Sequence, residues 1–218
     1  MLSASAWPED LFAGSVSHPT LRLVGRDGAD VVPLPVHRWQ EPPSPEELAV
    51  LARCTGPVLD VGCGPGRHVI ALIKAGQGAL GIDDSAAAVH TARRLGAPVV
   101  RASVFADVPA AGCWGTALLL DGNVGIGGDP VLLLRRIHAL LSPAGTALVE
   151  LDPPGVAPGR FHAWVEHGGK TGPRFPWARV GPAQLRSVAS QAGFDVGEIW
   201  QSAGRWFAQL DRRGGPGR

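Results

Sequence analysis

The stretch VLDVGCGPGRH, residues 58–68, joins a short apolar run to a glycine-rich turn and the beginning of a helical pattern. Val58 to Val61 suits a buried strand, and apolar residues recur at helical spacing after Gly66. Glycine lacks a Cβ atom and tolerates positive φ angles, so a turn of this kind lets the backbone come close to a ligand. The stretch therefore predicts a strand–turn–helix unit with a ligand site at its turn.

Strands and helices alternate on the C-terminal side of this unit. Continuous apolar runs predict five strands, and such runs are typical of parallel strands that are covered on both faces. The strands are predicted at Val58 to Val61, Ala79 to Ile82, Pro98 to Ala102, Thr116 to Leu120 and Thr146 to Leu151. Helices are predicted between them, at Arg67 to Ala75, Ala86 to Leu95 and Pro130 to Leu141. Repeated units of this kind predict a doubly wound, Rossmann-like α/β sheet that is mostly parallel.

Both ends of the chain depart from this alternation. The Asp-Gly pair at residues 27–28 predicts an N-terminal β-hairpin, and the run Ser-Pro-Glu-Glu at residues 44–47 predicts a capped helix that ends near Cys54. A second, inserted β-hairpin is predicted from Arg160 to Val180. The last apolar runs, FDVGEIWQ and RWFAQL, are too close together for a crossover, so they should pair antiparallel. The sheet is thus expected to have seven strands, with an antiparallel pair at its C-terminal end.

These features divide the chain into three parts. Residues 1–44 are expected to form an N-terminal hairpin and cap segment, and residues 212–218 a disordered tail. Residues 45–211 are expected to form the main domain, with the hairpin insertion at about 158–181. The chain has 218 residues, of which 45% are hydrophobic, and this suits one globular unit with its own core.

Composition and charge argue against several classes of function. The formal net charge of +1 and the lack of a basic run disfavour a nucleic-acid partner. No apolar run is long enough for a membrane span, and the N-terminus lacks the pattern of a secretory signal, so a cytoplasmic protein is expected. The three cysteines have no metal-ligand spacing, so neither a metal site nor a disulfide framework is predicted. The sequence leaves the oligomeric state open.

Two kinds of ligand suit the glycine turn. A dinucleotide fingerprint, Gly-x-Gly-x-x-Gly, would need glycine at position 67, where this chain has Arg67. The chain instead has DVGCGPG at residues 60–66, an acid followed by glycines at every second position. With this motif it resembles the class I S-adenosylmethionine-dependent methyltransferases. An acid at the end of the second strand, Asp83, is expected with either ligand because both contain a ribose.

The resemblance extends from about Pro45 to Leu210. RASVFADVP at residues 101–109 is similar to the third-strand motif of the family, and LLSPAG at residues 140–145 is similar to the turn before its fifth strand. The closing antiparallel pair matches the family's seventh strand. A narrower resemblance, to short methyltransferase-like proteins of actinobacteria, brings no assigned substrate; it is carried by LPVHRW, LLLDGNVGIGGDP, VELDPPG and RFPWARVG.

The resemblance implies S-adenosyl-L-methionine as the cofactor and S-adenosyl-L-homocysteine as its product. The methionine carboxylate is expected at the positive end of the helix after the turn, with Asp60 accepting, directly or through water, from the ammonium group. Asp83 is expected to bind the ribose, and Ser103 with Val104 the adenine. The full predicted cofactor set is Asp60, Gly62, Gly64, Gly66, His68, Asp83, Asp84, Ser103, Val104 and Asp121.

The acceptor is expected beside the loop after the fourth strand, DGNVGIGGDP at residues 121–130. The four glycines of this loop permit a close backbone approach, and Asp121 and Asn123 are candidate catalytic residues; the alternative is a tight turn capped by Asn123. His162, in the inserted hairpin, is the third catalytic candidate. A general base is needed only if the nucleophile must lose a proton, and the candidates for it are Asp121, His37, His162 and His167.

These features together predict a methyltransferase that acts on a small-molecule acceptor, with an oxygen, nitrogen, sulfur or carbon acceptor atom left open. The alternative from a different class is a non-catalytic partner protein in a biosynthetic complex that binds the same cofactor, since no base with an orienting partner stands out. A nucleotide-dependent oxidoreductase is a third alternative, which Arg67 disfavours.

Overall fold

The computed structural model describes residues 19–25 and 28–214. Three parts of the predicted organisation lie outside the described residues: positions 1–18 of the N-terminal segment, Arg26 and Asp27 of the hairpin turn, and positions 215–218 of the tail. Within the described part of the chain, no helix has the length and hydropathy that crossing a membrane requires.

The described chain contains twelve strands and six α-helices. The strands are β1 (Thr20–Gly25), β2 (Gly28–Pro33), β3 (Val58–Val61), β4 (Ala79–Asp83), β5 (Val99–Arg101), β6 (Trp114–Leu119), β7 (Leu141–Leu151), β8 (Gly159–His167), β9 (Lys170–Thr171), β10 (Phe175–Arg179), β11 (Phe194–Ser202) and β12 (Arg205–Arg212). The helices are α1 (Val36–Gln40), α2 (Pro45–Leu51), α3 (Arg67–Lys74), α4 (Ala86–Arg94), α5 (Pro130–Leu140) and α6 (Pro182–Gln191), and a short 3-10 helix spans Asn123–Gly125.

Seven strands form the central sheet, in the order β11-β12-β7-β6-β3-β4-β5. Strands β3 to β7 are parallel, whereas β12 pairs antiparallel with both β7 and β11. The predicted mostly parallel sheet of seven strands with a C-terminal antiparallel pair is therefore confirmed. The strand order reverses between β3 and β6, and open sheets of this kind bind ligands in the crevice at such a switch point.

Local sequence signals explain where the helices begin. Ser44 and Glu47 form the predicted capping box, in which each side chain accepts from the backbone N–H of the other residue. Ser85 caps α4, and Asp129 caps α5 ahead of a proline at its first position. Two boundaries differ from expectation by three residues or more. Helix α2 ends at Leu51 instead of near Cys54, and β7 begins at Leu141 instead of Thr146 because Leu141 already pairs with Trp114 of β6.

A second, antiparallel sheet was not anticipated as a single unit. The sequence predicts two separate hairpins, which correspond to β1–β2 and to β8–β10. In the structure, β1 pairs with β8 over five residues and joins them in the order β10-β8-β1-β2, with the short β9 on β8. The pairing brings Arg22 opposite Trp164, residues that are far apart along the chain. Nothing in the local pattern of either hairpin specifies this partner, so only the tertiary structure determines it.

The second sheet has one apolar face and one mixed face. Leu21, Leu23 and Phe175 point to the same side, where they form an apolar cluster that includes residues of α1. His162 and Trp164 alternate with these residues and therefore point to the other side. The apolar face covers the carboxyl ends of the parallel strands.

The glycines of the loop after β6 serve a packing role. An added Cβ atom at Gly125 would lie 2.1 Å from the carbonyl oxygen of Ala178, and one at Gly128 would lie 2.8 Å from the Cβ atom of Pro176. The loop therefore packs directly against β10, and Ile126 forms a single β-bridge to that strand. The expected close approach does occur, but at these two positions it is to the second sheet.

We expect Gly125→Ala to destabilise the contact between the two sheets. Overpacking against a fixed backbone carbonyl typically costs about 1–3 kcal/mol, and each kcal/mol lowers the melting temperature of a domain of this size by about 2–4 °C. Thermal unfolding followed by circular dichroism measures the effect. Gly78→Ala is the matched control, because no atom lies within 4 Å of an added Cβ there. Equal melting temperatures for the two variants would contradict the packing role.

Candidate functional site

A cavity of about 380 Å³ lies at the carboxyl ends of the parallel strands, beneath the apolar face of the second sheet. Residues that follow β3, β4, β5 and β6 line one side, and residues of β1, β2, β10 and α1 line the other. The volume falls in the range of roughly 300–1,000 Å³ that is usual for small-molecule sites. The sequence predicts the methyl acceptor beside the loop after β6. The part of the cavity between α1, the second sheet and the ends of β6 and β7 is therefore called the acceptor side.

The glycine turn after β3 is open toward this cavity at its centre. Gly64 has a φ angle of 54°, and no atom of the described residues lies within 4 Å of the place where a Cβ atom would stand. Its N–H donates to Asp83 Oδ2 at 2.9 Å, and Asp83 Oδ1 accepts from the N–H of Ser85 at 2.8 Å. These bonds fix the Asp83 carboxylate beside the turn, at the end of the neighbouring strand.

The other two glycines of the motif have different neighbours. Gly62 lines the cavity, and an added Cβ atom would lie 2.7 Å from the side-chain amide nitrogen of Asn123. This nitrogen donates hydrogen bonds to the backbone carbonyls of Val61 and Gly62, at 2.9 and 3.0 Å. Gly66 packs against helix α4 and the residues after it, since its Cβ atom would lie 2.7 Å from that of Ala97. Asn123 thus holds the turn in place, and Gly66 permits helix packing away from the cavity.

Three more residues of the predicted cofactor set line the cavity where β4 and β5 end. Asp84 is exposed and its carbonyl accepts from the side chain of Arg101 at 3.2 Å. Ser103 Oγ accepts from the N–H of Phe105 at 3.3 Å, while the side chain of Val104 is buried. This part of the cavity combines an apolar surface with two polar side chains.

Asp121 lies at the start of the loop after β6, at the bottom of the acceptor side. It has a φ angle of 55°, a left-handed conformation that costs a non-glycine residue about 1–3 kcal/mol unless its surroundings hold it there. Its N–H donates to Glu150 Oε2 at 2.7 Å, and its carboxylate accepts from Arg38 Nη2 at 2.6 Å and Arg67 Nη2 at 2.7 Å. Both the backbone and the side chain of Asp121 are therefore fixed.

Asp121 belongs to a larger cluster of charged side chains, which we call the charge network. Its members are Arg38, Glu47, Asp60, Arg67, His68, Asp121, Glu150 and Arg205. Glu47 is fully buried and forms a bidentate ion pair with Arg67, in which one contact is 2.7 Å. Arg205 Nη1 reaches the same carboxylate at 2.5 Å and forms two bonds of 2.7 Å to Glu150. The network joins α1, α2, α3 and the ends of β6, β7 and β12.

The charges within this network set one another's protonation. Burial alone would raise the pKa of Glu47, but neighbouring His68 and the guanidinium groups of Arg67 and Arg205 lower it far below its ordinary value. Burial likewise opposes the charge on Asp121, yet Arg67 and His68 lower its pKa. Burial would lower the pKa of His68, whereas Asp60 and Glu47 raise it to about 9. At neutral pH, Asp121 is therefore ionised and His68 is protonated.

Glu47, His68 and Asp121 bring three possible metal-ligating atoms within 4.8 Å of one another. The carboxylates of Glu47 and Asp121 both accept hydrogen bonds from Arg67, and His68 carries a positive charge at neutral pH. The two carboxylates are thus already neutralised by an arginine, and a protonated imidazole has no free lone pair for a metal ion, so we assign no metal site to the cluster.

Several predicted residues lie away from the cavity. Asp60 and His68 are buried behind the glycine turn, with 3.7 Å between Asp60 Oδ2 and His68 Nδ1, and neither lines the cavity. His162 is exposed on the outer face of the second sheet, so the structure does not bring this catalytic candidate to the site. Two other base candidates, His37 and His167, are also outside the cavity lining. Among the base candidates only Asp121 lines it.

Sequence reasoning missed the ion pairs that support the site. Glu47 is recognisable as a capping residue, but its contacts with Arg67 and Arg205 cross 20 and 158 positions of the chain. Arg67 was noted only as the residue that replaces a glycine of the dinucleotide motif. The position of Arg67 at the start of a predicted helix of the sheet could have indicated an ion pair. An arginine that becomes buried there requires a carboxylate partner.

Comparisons with known proteins place this architecture among methyltransferases. No protein-family model matches the chain, and no curated protein matches it significantly. A solved structure of an S-adenosylmethionine-dependent methyltransferase from Bacteroides fragilis, in complex with S-adenosylhomocysteine, is 24% identical with a TM-score of 0.73, covering 98% of this chain and 100% of that one. The chain therefore has the predicted class I methyltransferase fold.

Two further solved structures share the fold at lower similarity. The 1,6-didemethyltoxoflavin N1-methyltransferase of Burkholderia thailandensis, solved with bound 1,6-didemethyltoxoflavin and S-adenosylhomocysteine, is 19% identical with a TM-score of 0.56, covering 78% of this chain and 77% of that one. The sugar N-methyltransferase KedS8 of a Streptoalloteichus species is 18% identical with a TM-score of 0.56, covering 77% of this chain and 84% of that one.

Proposed function

We propose that the protein is an S-adenosylmethionine-dependent methyltransferase that acts on a small molecule. The observation that carries the proposal is the open glycine turn at Gly64, hydrogen-bonded to a carboxylate at the end of the next strand, inside a cavity at the switch point of the sheet. The likeness to methyltransferase structures that hold S-adenosylhomocysteine supports the same ligand here.

The lining residues suggest how the cofactor is held. The methionine carboxylate lies at the beginning of α3, where free backbone N–H groups and the helix dipole favour an anion. The ribose hydroxyls donate to Asp83, and the adenine lies beside Ser103 and Val104. Asp60 and His68 are buried and support the turn from behind, so any contact of Asp60 with the ammonium group is made through water.

The chemistry requires positioning more than proton transfer. The acceptor atom forms a bond to the methyl carbon, the bond between that carbon and sulfur breaks, and its electron pair stays on sulfur. The protein contributes by aligning the two reactants and excluding water. Since Asp121 has a lowered pKa and is paired with arginines, it is a weak proton acceptor, and we assign it a positioning role at the acceptor side.

Isothermal titration calorimetry with S-adenosylmethionine and S-adenosylhomocysteine tests the proposal. We expect saturable binding of both. Failure of both to bind at millimolar concentration would rule out the proposed function. NAD and NADP titrated in parallel form the control, because binding of either, without binding of the methyl donor, would favour an oxidoreductase instead.

The second candidate function is a protein that binds this cofactor without catalysis. It is favoured by the ion pairing of Asp121, Glu150 and Asp152, which leaves the acceptor side, as far as it is described, without an obvious base. A screen of small molecules with isotopically labelled methyl donor separates the two. Enzyme-dependent transfer to any acceptor eliminates the second candidate.

Cofactor binding should depend on pH through Asp83. Burial raises the pKa of this carboxyl to about 6, against the hydrogen bonds from Ser85 and Gly64 that lower it. The ionised carboxylate accepts hydrogen bonds from both ribose hydroxyls, so affinity should be full above this pKa and decrease as the pH falls through it. At one pH unit below the pKa, we expect about tenfold weaker binding of S-adenosylhomocysteine. The same titration with Asp83→Asn should be nearly flat between pH 5 and pH 7; a pH dependence equal to that of the wild type would assign the effect to another group.

A further inference from the structure

The acceptor side has an apolar wall. Leu21, Leu23 and Phe175 project from the inner face of the second sheet, and Trp39 and Trp177 are half-buried beside them. Among the residues of β1, β2 and β10 that line the cavity, Arg179 is the charged one. Its guanidinium group pairs with Asp152 and Asp30. Such a wall fits a flat apolar body and offers few partners for the hydroxyl groups of a sugar.

The carboxylates on this side are already neutralised by arginines. Asp121 pairs with Arg38 and Arg67, Glu150 pairs with Arg205, and Asp152 pairs with Arg179; the distances range from 2.6 to 3.0 Å. None of these acids offers an unpaired anion to a cationic acceptor. On the acceptor side of the described lining, the electrostatics therefore do not favour a positively charged acceptor.

Arg38 has an unused donor. Its Nη2 bonds to Asp121 Oδ1 at 2.6 Å, whereas its Nη1 makes no hydrogen bond to any described residue, and the side chain is 34% exposed. An anionic oxygen in the cavity can therefore accept a hydrogen bond from this guanidinium group, and such charge-assisted bonds are stronger than those between neutral groups. Arg38 lines the cavity on the same side as the apolar wall.

We propose that the methyl acceptor is a small, flat, apolar acid, such as an aromatic or heteroaromatic carboxylate, whose anionic oxygen accepts a hydrogen bond from the Arg38 guanidinium group. The proposal rests on the proposed methyltransferase function and deepens it. A bound methyl donor adds a sulfonium cation to a largely neutralised site, which favours an anionic partner further. When a carboxylate oxygen forms the new bond to the methyl carbon, the carbon–sulfur bond breaks with its electron pair on sulfur, and the products are an ester and S-adenosylhomocysteine. No proton is released in this step, so the protein needs no proton acceptor.

Matched probes test charge recognition separately from shape. 2-Naphthoate and 2-naphthamide have the same flat apolar body and differ in charge, and each is titrated by calorimetry into the protein saturated with S-adenosylhomocysteine. We expect the acid to bind at least tenfold more tightly than the amide, equivalent to about 1.4 kcal/mol. Equal affinities, or no binding of the acid at millimolar concentration, would overturn the inference.

Variants identify the group responsible. Arg38→Met should remove the preference for the acid while leaving the affinity for S-adenosylhomocysteine within twofold of wild type, and Arg38→Lys should restore only part of it. Arg53→Met is the charge-matched control, because Arg53 pairs with Glu198 and stacks on Trp200 outside the cavity lining. A loss of S-adenosylhomocysteine affinity in Arg38→Met as large as the loss for the acid would assign Arg38 to the donor and overturn the inference. Binding of S-adenosylhomocysteine without any acid preference would overturn the inference alone and leave the proposed function standing.

Discussion

Glu47→Ala is expected to destabilise the fold more than any other single change considered for this protein. The substitution leaves Arg67, which is 6% exposed, without its bidentate partner, and it removes one of the carboxylates that hold Arg205. Breaking a buried ion pair by removing one partner typically costs about 3–5 kcal/mol, because the remaining charge stays buried. Chemical denaturation followed by tryptophan fluorescence gives the free energy of unfolding.

The neighbouring residue supplies the control. Glu46 lies in the same helical turn, is only half-buried and belongs to no ion pair of the charge network. Glu46→Ala should therefore cost only the few tenths to about 1 kcal/mol that a favourable acid in the first turn contributes. A second variant, Glu47→Gln, keeps the shape and the capping acceptor but removes the charge. If Glu47→Ala and Glu46→Ala unfold at the same denaturant concentration, the charge network is not a source of stability.

Asp83→Ala is expected to have the largest effect on cofactor binding. Hydrogen bonds to a charged group contribute about 1.5–3 kcal/mol, so the dissociation constant of S-adenosylhomocysteine should rise by about 10- to 150-fold. The measurement is calorimetric titration of wild type and variant at pH 7.5, where the carboxyl of the free protein, with a pKa of about 6, is ionised.

Two comparisons separate binding from folding in this experiment. Asp83 also accepts from the N–H groups of Gly64 and Ser85, so the melting temperature of the variant must be measured alongside its affinity. Asp84→Ala changes the adjacent acid, which is exposed and lies at the edge of the cavity, and it should weaken binding less. An unchanged affinity in Asp83→Ala would show that the ribose lies elsewhere.

The order of strands and helices was predictable because it depends on local sequence patterns. Apolar runs of strand length alternate with capped helical segments, and such units can close only into a parallel sheet with right-handed crossovers. The capping box at Ser44 and Glu47 and the N-cap at Asp129 were likewise predictable, because each depends on residues within about four positions of one another. The central sheet and its antiparallel end are accordingly confirmed.

The candidate site was predictable only in part. Gly62, Gly64, Asp83 and Asp121 line the cavity as expected, because each follows a parallel strand and the carboxyl ends of such strands meet at one edge. Their roles toward a ligand remain predictions. His162 was misplaced because the sequence could locate it in a strand but could not say which face of the second sheet would meet the core.

By itself, the sequence determined the strand–turn–helix unit at residues 58–68 and the alternating elements around it, because these depend on neighbours along the chain. The tertiary structure alone decided what surrounds the cavity. The pairing of β1 with β8 supplies the apolar wall, and the meeting of Glu47, Arg67, Asp121 and Arg205 supplies the charge network. Both depend on contacts between distant segments, whose partners are selected by burial and by the need to neutralise charge in the folded state. Local periodicity carries no information about either.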